Sequence, residues 1–183
     1  MQTKIRQGAI LAAAIWLCGC GSHRINYQGS PVDLQYTGKR SLTVGVLDKR
    51  PYILSQEKPP NYVGTIRGGY GNPFNQTTES GKTLAADFGS TLIESLQAGG
   101  FAVNPLPLNP QDTPQTALKA FRAGDGDRLL LLILDEWQND YYPASYGNEN
   151  TYILYNITLR VYDRRGKVLA KKTVSGETHL PSG

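Results

Sequence analysis

The chain has 183 residues, with 19 Lys plus Arg against 15 Asp plus Glu, 39% hydrophobic and 19% charged. This is a single domain's length with enough apolar material for a core, and it is too hydrophobic and too weakly charged to be disordered throughout. Outside the extreme N-terminus no run reaches the roughly 18–20 apolar residues of a membrane-crossing helix, and the formal charge, +4 in all and +2 without Lys4 and Arg6 of the N-terminal segment, is too weak to argue for nucleic acid.

In chain order, Met1 to Gln7 carries Lys4 and Arg6 without an acid, and Ala9 to Leu17 is an apolar stretch too short to span a bilayer. Together they have the outline of a secretory signal peptide. Leu17-Cys18-Gly19-Cys20 closes it and resembles the bacterial lipobox, with a small residue directly before the acceptor. Cys20 fits as the lipidated residue because Gly19 precedes it; Cys18 has the bulky Leu17 in that position. Residues 1–19 then form the signal, and their removal leaves 164 residues, takes Lys4 and Arg6 away and lowers the formal charge from +4 to +2. No thiol remains for a disulfide, a nucleophile or a cysteine metal site. Each buried acyl methylene contributes about 0.8 kcal/mol, so several chains on one cysteine anchor firmly. The resemblance to such lipoproteins, which are held in the inner membrane when Asp follows the lipidated Cys, implies the outer membrane and a periplasm-facing domain here, because Gly21 and Ser22 follow Cys20.

Residues 20–40 read as the lipidated N-terminus and a flexible tether, and 41–183 as one domain. Leu42, Val44 and Val46 alternate in a first strand that Asp48-Lys49-Arg50-Pro51 ends. Pro51 to Ser80 shows little periodicity and many glycines around Arg67, Tyr70 and Phe74, so it is either a binding loop or a β-hairpin or Ω-loop with positive-φ turns. Gly81-Lys82-Thr83 lacks the upstream glycine of a phosphate loop, Gln76 standing there, so no nucleotide site is expected; Ser80 reads as the N-cap of a helix from Lys82 to Ala98. Leu84, Phe88, Leu92 and Leu96 give that helix its apolar stripe and Gly99-Gly100 its end. A short strand comes next at Phe101 to Val103, and Thr113-Pro114 starts a second helix to Ala123 that buries Leu118 and Phe121.

Arg128 to Trp137 is the most apolar run after the signal and, without alternation, is expected as a strand covered on both faces or at the centre of the sheet. Tyr152 to Asp163 alternates, and Val168 to Glu177 returns as its hairpin partner across Asp163-Arg164-Arg165-Gly166-Lys167. The Tyr- and Asn-rich tract between Trp137 and Tyr152 is either a protein-binding loop or the lip of a long hairpin. The order predicts an α/β (or α+β) single-domain sandwich: a mixed sheet of about five strands, two helices and a long C-terminal β-hairpin.

The lipobox, the helix closing in Leu96-Gln97-Ala98-Gly99-Gly100-Phe101, the apolar strand and the final hairpin resemble the small periplasm-facing lipoproteins of the YajG type. More distantly, they resemble the TolB amino-terminal-type module of envelope assembly lipoproteins. The resemblance implies an envelope lipoprotein with no active site to carry over. It also implies a further helix after the hairpin, so this sheet is expected to be less covered on one face or the chain to be a truncated form.

Catalysis, a cofactor and a metal are not expected. His23 and His179 lie outside the predicted core, Asp135 and Glu136 point to opposite faces of a strand, and no nucleophile elbow is present. The function expected is a non-enzymatic envelope component or regulator that contacts another envelope protein or its own copies. Its candidate contact residues are Arg67, Tyr70, Phe74, Tyr141, Tyr142 and Tyr146. The alternative is a small-ligand or glycan binder with Tyr and Trp as stacking platforms.

Overall fold

The computed structural model describes residues 24–28, 38–68, 70–142 and 150–181. Cys18, Cys20, His23 and Tyr146 therefore lie outside the described residues.

The fold is organised by one long strand, β6 (Arg128–Tyr142). Leu129, Leu131, Ile133 and Leu134 are buried and Leu130 and Leu132 half-buried, because the strand has neighbours on both edges and a helix over each face. Along one edge it pairs antiparallel with β7 (Asn150–Asp163), which in turn pairs with β8 (Val168–Pro181). Along the other edge it has two partners in succession. Its first half is parallel to β2 (Ser41–Asp48), from Leu42↔Arg128 to Asp48↔Leu134, and β2 continues to β5 (Ala102–Leu106). Its far end meets β3 (Tyr62–Arg67) in parallel at Ile66↔Tyr141. β3 forms an antiparallel hairpin with β4 (Pro73–Thr78), which pairs in parallel with β1 (Arg24–Ile25). The eight-stranded mixed sheet thus forks where β2 ends. A register shift between Leu134 and Glu136 marks the fork on β6, as a bulge should where a strand bends.

Three helices complete the domain: α1 (Pro51–Leu54), α2 (Leu84–Ala98) and α3 (Pro114–Ala123). On one face α2 sets Leu84 and Leu96 against Leu42, Val44, Val46 and Leu134. On the other, α3 packs Ala117 and Phe121 onto Leu129, Leu131, Ile133 and Tyr162. The expected capping of α3 holds, with Thr113 and Thr116 in a reciprocal capping box and Pro114 at the first position. Helix α2 starts two residues later than the sequence suggests. Thr83 is its N-cap, accepting from the Ala86 amide at 3.1 Å, while Ser80 instead places its hydroxyl 2.8 Å from both carboxylate oxygens of the buried Asp87.

The α/β fold class, the mixed sheet and the C-terminal hairpin are as the sequence predicts. Eight strands replace the expected five because the glycine-rich stretch is itself α1 plus the β3–β4 hairpin, and because part of the tether is a strand. Two glycines of that stretch have structural work. A Cβ on Gly64 would overlap the Asn139 carbonyl, so only glycine lets β3 approach β6 there; Gly71, at φ 84°, takes the left-handed turn. Within the segment read as tether, Arg24–Ile25 adds to β4, and Tyr27 packs edge-on against Phe88 and Trp137, with centroids 5.7 Å away in both cases. Among the described residues no helix is long and apolar enough to cross a membrane.

Candidate functional site

At the fork, the chain leaving β2 turns back through Arg50, whose side chain is 0% exposed. A buried guanidinium is costly unless its donors are met, and here they are. Nε donates to Asp48 Oδ1 at 2.8 Å, Nη2 to Asp48 Oδ2 at 2.7 Å and Nη1 to the Tyr62 carbonyl at 2.7 Å, with the Pro60 and Trp137 carbonyls at 3.4 Å. The Asp48 carboxylate ends β2, the Pro60 and Tyr62 carbonyls belong to the β3 branch and the Trp137 carbonyl to β6, so one side chain bridges the branches where β2 and β3 make no ladder bonds to each other. Burial by itself lowers the Arg50 pKa, but the hydrogen bonds and attraction to Asp48 outweigh it and hold the pKa above its ordinary value. Tyr52 lies under the guanidinium, its ring centroid 5.4 Å from Cζ. Its hydroxyl is 2.7 Å from the Trp137 carbonyl and 2.8 Å from Glu136 Oε1. Burial pushes the Tyr52 hydroxyl well above its ordinary pKa, and Tyr27 and Tyr62 are raised for the same first reason.

Beyond the fork the strands run on to an open pole. Asp140 ties β3 to β6 by accepting from the Thr65 amide at 2.8 Å and from Gln138 Nε2 at 2.7 Å. That bond and the Gly64 approach carry Arg67 over the ring of Tyr142, 5.4 Å from its centroid. Arg67 Nη1 also reaches the Gly71 carbonyl at 3.4 Å. Tyr142 packs edge-on against Tyr152 at 5.3 Å, and Tyr152 against His179 at 4.3 Å. His179 Nε2 lies 3.0 Å from Glu177 Oε1. The pairings Gln138↔Leu154↔Glu177 and Asp140↔Tyr152↔His179 set these side chains on one face. Gln138, Asp140, Tyr142, Tyr152, Leu154 and Glu177 line a recess there of about 500 Å³. It offers aromatic edges and faces with carboxylate and amide groups between them, a surface for protein side chains or for the apolar face and hydroxyls of a sugar.

Of the residues singled out from the sequence, Arg67 and Tyr142 meet at this face, and Tyr141 comes after Asp140 on the alternate face of β6 where β3 joins it. Tyr70 and Phe74 stand apart on the β3–β4 hairpin, 97% and 55% exposed. Tyr152, Gln138, Asp140, Glu177 and His179 are added by the fold. Counting outward from the 163–167 turn pairs Tyr152 with His179, but only if the hairpin continues past Glu177, where the polar sequence suggests it stops. The expected opposition of Asp135 and Glu136 is modified by the bulge, and Glu136 is taken up by the Tyr52 hydroxyl. Among the described residues no group of three His, Cys, Asp or Glu side chains is placed to hold a metal ion.

The sequence matches no family model and no curated protein. The fold is similar to that of a Xanthomonas campestris protein of the DUF330 family model, at 10% identity and TM-score 0.48, over 87% of this chain and 76% of that one. It is also similar to PelC of Paraburkholderia phytofirmans, a dodecamer, at 20% identity and TM-score 0.39, over 81% and 79% of the two chains. A homologue of a neuraminyllactose-binding hemagglutinin from Helicobacter pylori gives 8% identity and TM-score 0.33, over 85% and 76%. At these values the likeness is one of outline alone.

Proposed function

We propose that this protein is a non-enzymatic lipoprotein of the YajG-like kind, anchored through Cys20 in the outer membrane and facing the periplasm. In this reading it serves an envelope assembly by binding another protein or its own copies. The observation that carries the reading is the meeting of Arg67, from the glycine-rich stretch, with Tyr142 and Tyr152 beside an open recess. Aromatic residues and arginine at the centre of a surface are the usual carriers of binding energy between proteins. The acids of the region support a binding role because each is already held: Glu136 by Tyr52, Asp140 by Thr65 and Gln138, Glu177 by His179. Tyr141 and Tyr146 flank the same surface in sequence.

The test is capture from crosslinked envelopes together with native mass spectrometry of the purified protein. A defined partner or a defined oligomer, lost in Tyr142→Ser, is the expected outcome. The carboxylate and amide groups beside Tyr142 and Tyr152 favour a second reading, a glycan or small-ligand binder. Retention of sugar by a monomer that captures no protein would establish that reading instead. Palmitate-analogue labelling lost in Cys20→Ser and kept in Cys18→Ser tests the anchor.

A further inference from the structure

The N-terminal strand fixes which end of the domain the anchor reaches. β1 pairs with β4 in parallel, Arg24 opposite Thr77 and Ile25 opposite Thr78. β4 runs away from the tip of its hairpin, so the chain enters β1 from the tip side. Three hydrogen bonds just downstream hold Arg24 in this register. The Glu79 amide donates to the Ile25 carbonyl at 2.8 Å, Thr91 Oγ1 to the Tyr27 carbonyl at 2.8 Å, and Gln28 Nε2 to the buried Asp87 at 2.8 Å. Cys20 precedes Arg24 by four residues, a reach of at most about 14 Å. Phe74 lies three positions tipward of Thr77, about 10 Å along the strand. Arg24 is level with Thr77 and Tyr62 and, through Ile66↔Tyr141, with Trp137 and Tyr155, so the far turn at Asp163 is eight residues or about 27 Å away along β7 and is out of reach.

At the end the anchor does reach, the largest exposed aromatics of the described residues are Tyr70 and Phe74. The turn carrying them is set by its own backbone, with the Gly68 amide on the Asn72 carbonyl at 2.9 Å and the Gly71 amide on the Gly68 carbonyl at 2.8 Å. We infer that the β3–β4 hairpin tip lies on the bilayer surface, with Tyr70 and Phe74 in the headgroup region as a second, non-covalent attachment beside the lipid on Cys20. Tyrosine and other aromatic side chains favour that depth, and acyl anchoring is strengthened by a second contact. The inference rests on lipidation at Cys20, part of the proposed function.

Once Cys18 has left with the signal and Cys20 is acylated, Tyr70→Cys, Phe74→Cys or Lys167→Cys carries the single free thiol of the lipidated chain. Each variant is labelled with an environment-sensitive fluorophore and reconstituted into phosphatidylethanolamine/phosphatidylglycerol vesicles containing doxyl-labelled lipid. Positions 70 and 74 are expected to show a blue-shifted emission and quenching several-fold above that at 167. If the protein takes up the palmitate label and floats with the vesicles but positions 70 and 74 are quenched no more than 167, the hairpin is off the membrane and the inference fails. Emission that shifts only when envelope protein is added, and never with lipid alone, overturns it in favour of a protein contact. Loss of palmitate labelling itself overturns the anchor and this inference together, and is read out separately.

Discussion

Among the described residues the same pair occurs twice: an arginine over a tyrosine ring at 5.4 Å, Arg50 with Tyr52 and Arg67 with Tyr142. Around Arg50 there is no solvent, and Asp48 with the carbonyls of the split sheet takes up the guanidinium. Around Arg67 the surface is half open, and the ring it covers passes the contact on to Tyr152 and His179. Local geometry is alike; desolvation is not. The first pair holds strands together, whereas the second leaves groups that water still reaches, as the proposed binding surface requires.

The largest loss is expected at the fork. Arg50→Met leaves Asp48 charged and buried and strips the Tyr62 carbonyl of its donor, so a loss of about 3–5 kcal/mol is expected by urea denaturation. A loss under about 1 kcal/mol would mean the fork is held by packing alone. Gly64→Ala, between the two regions, forces β3 off Asn139 and is expected to cost about 1–3 kcal/mol as overpacking does. It should also separate Arg67 from Tyr142, which a drop in partner capture per folded molecule would report. Tyr142→Ser removes one aromatic pair and one partly solvated cation–π contact, about 1–2 kcal/mol in thermal denaturation, with partner capture abolished. Stability loss equal to that of Arg50→Met, with binding retained, would erase the distinction between the two regions.

The smallest effect is on pH dependence. Burial raises the pKa of Tyr27, Tyr52 and Tyr62 above the ordinary value of 10.0. These hydroxyls stay protonated in the fold while their unfolded counterparts ionise, so their contribution is intact below about pH 10 and is lost as pH rises beyond it. Thermal melts should be flat in this respect up to about pH 9 and decline above. Tyr52→Phe should lessen the alkaline decline, and an unchanged slope would show that these hydroxyls are hydrated.

Much of the scaffold is legible in the residues. The unbroken leucines of β6 and the i+4 stripe of α2 report their buried faces, which is what periodicity encodes, whereas the alternation of Leu42, Val44 and Val46 reports only one of the two faces that β2 buries, Leu47 lying in the core on the other. The fork is not legible, because Asp48-Lys49-Arg50-Pro51 has the composition of a turn. Only the long-range arrival of the Tyr62 and Trp137 carbonyls makes a buried arginine stable there. Tyr27 sits in polar surroundings and shows no period, since its partners Phe88 and Trp137 are far along the chain. Arg67 and Tyr142 stand out by residue type and by the irregular stretches around them. Tyr152 and His179 required the strand register, which composition does not contain.

The parallel pairing of β1 with β4 has a mechanical consequence. A pull on the chain upstream of Arg24 runs along the strand axis, so it loads the β1–β4 bonds in shear instead of peeling them one by one. The ladder is only two residues long, too short to resist on its own. The load therefore passes to the Tyr27 ring, wedged between Phe88 and Trp137, and to the Gln28 amide on Asp87. If the proposed anchor on Cys20 holds the chain at that end, this aromatic wedge is the clutch: while it holds, drag on the domain reaches the sheet as a rigid body, and when it slips, the chain lengthens by a few residues before the fold feels any strain.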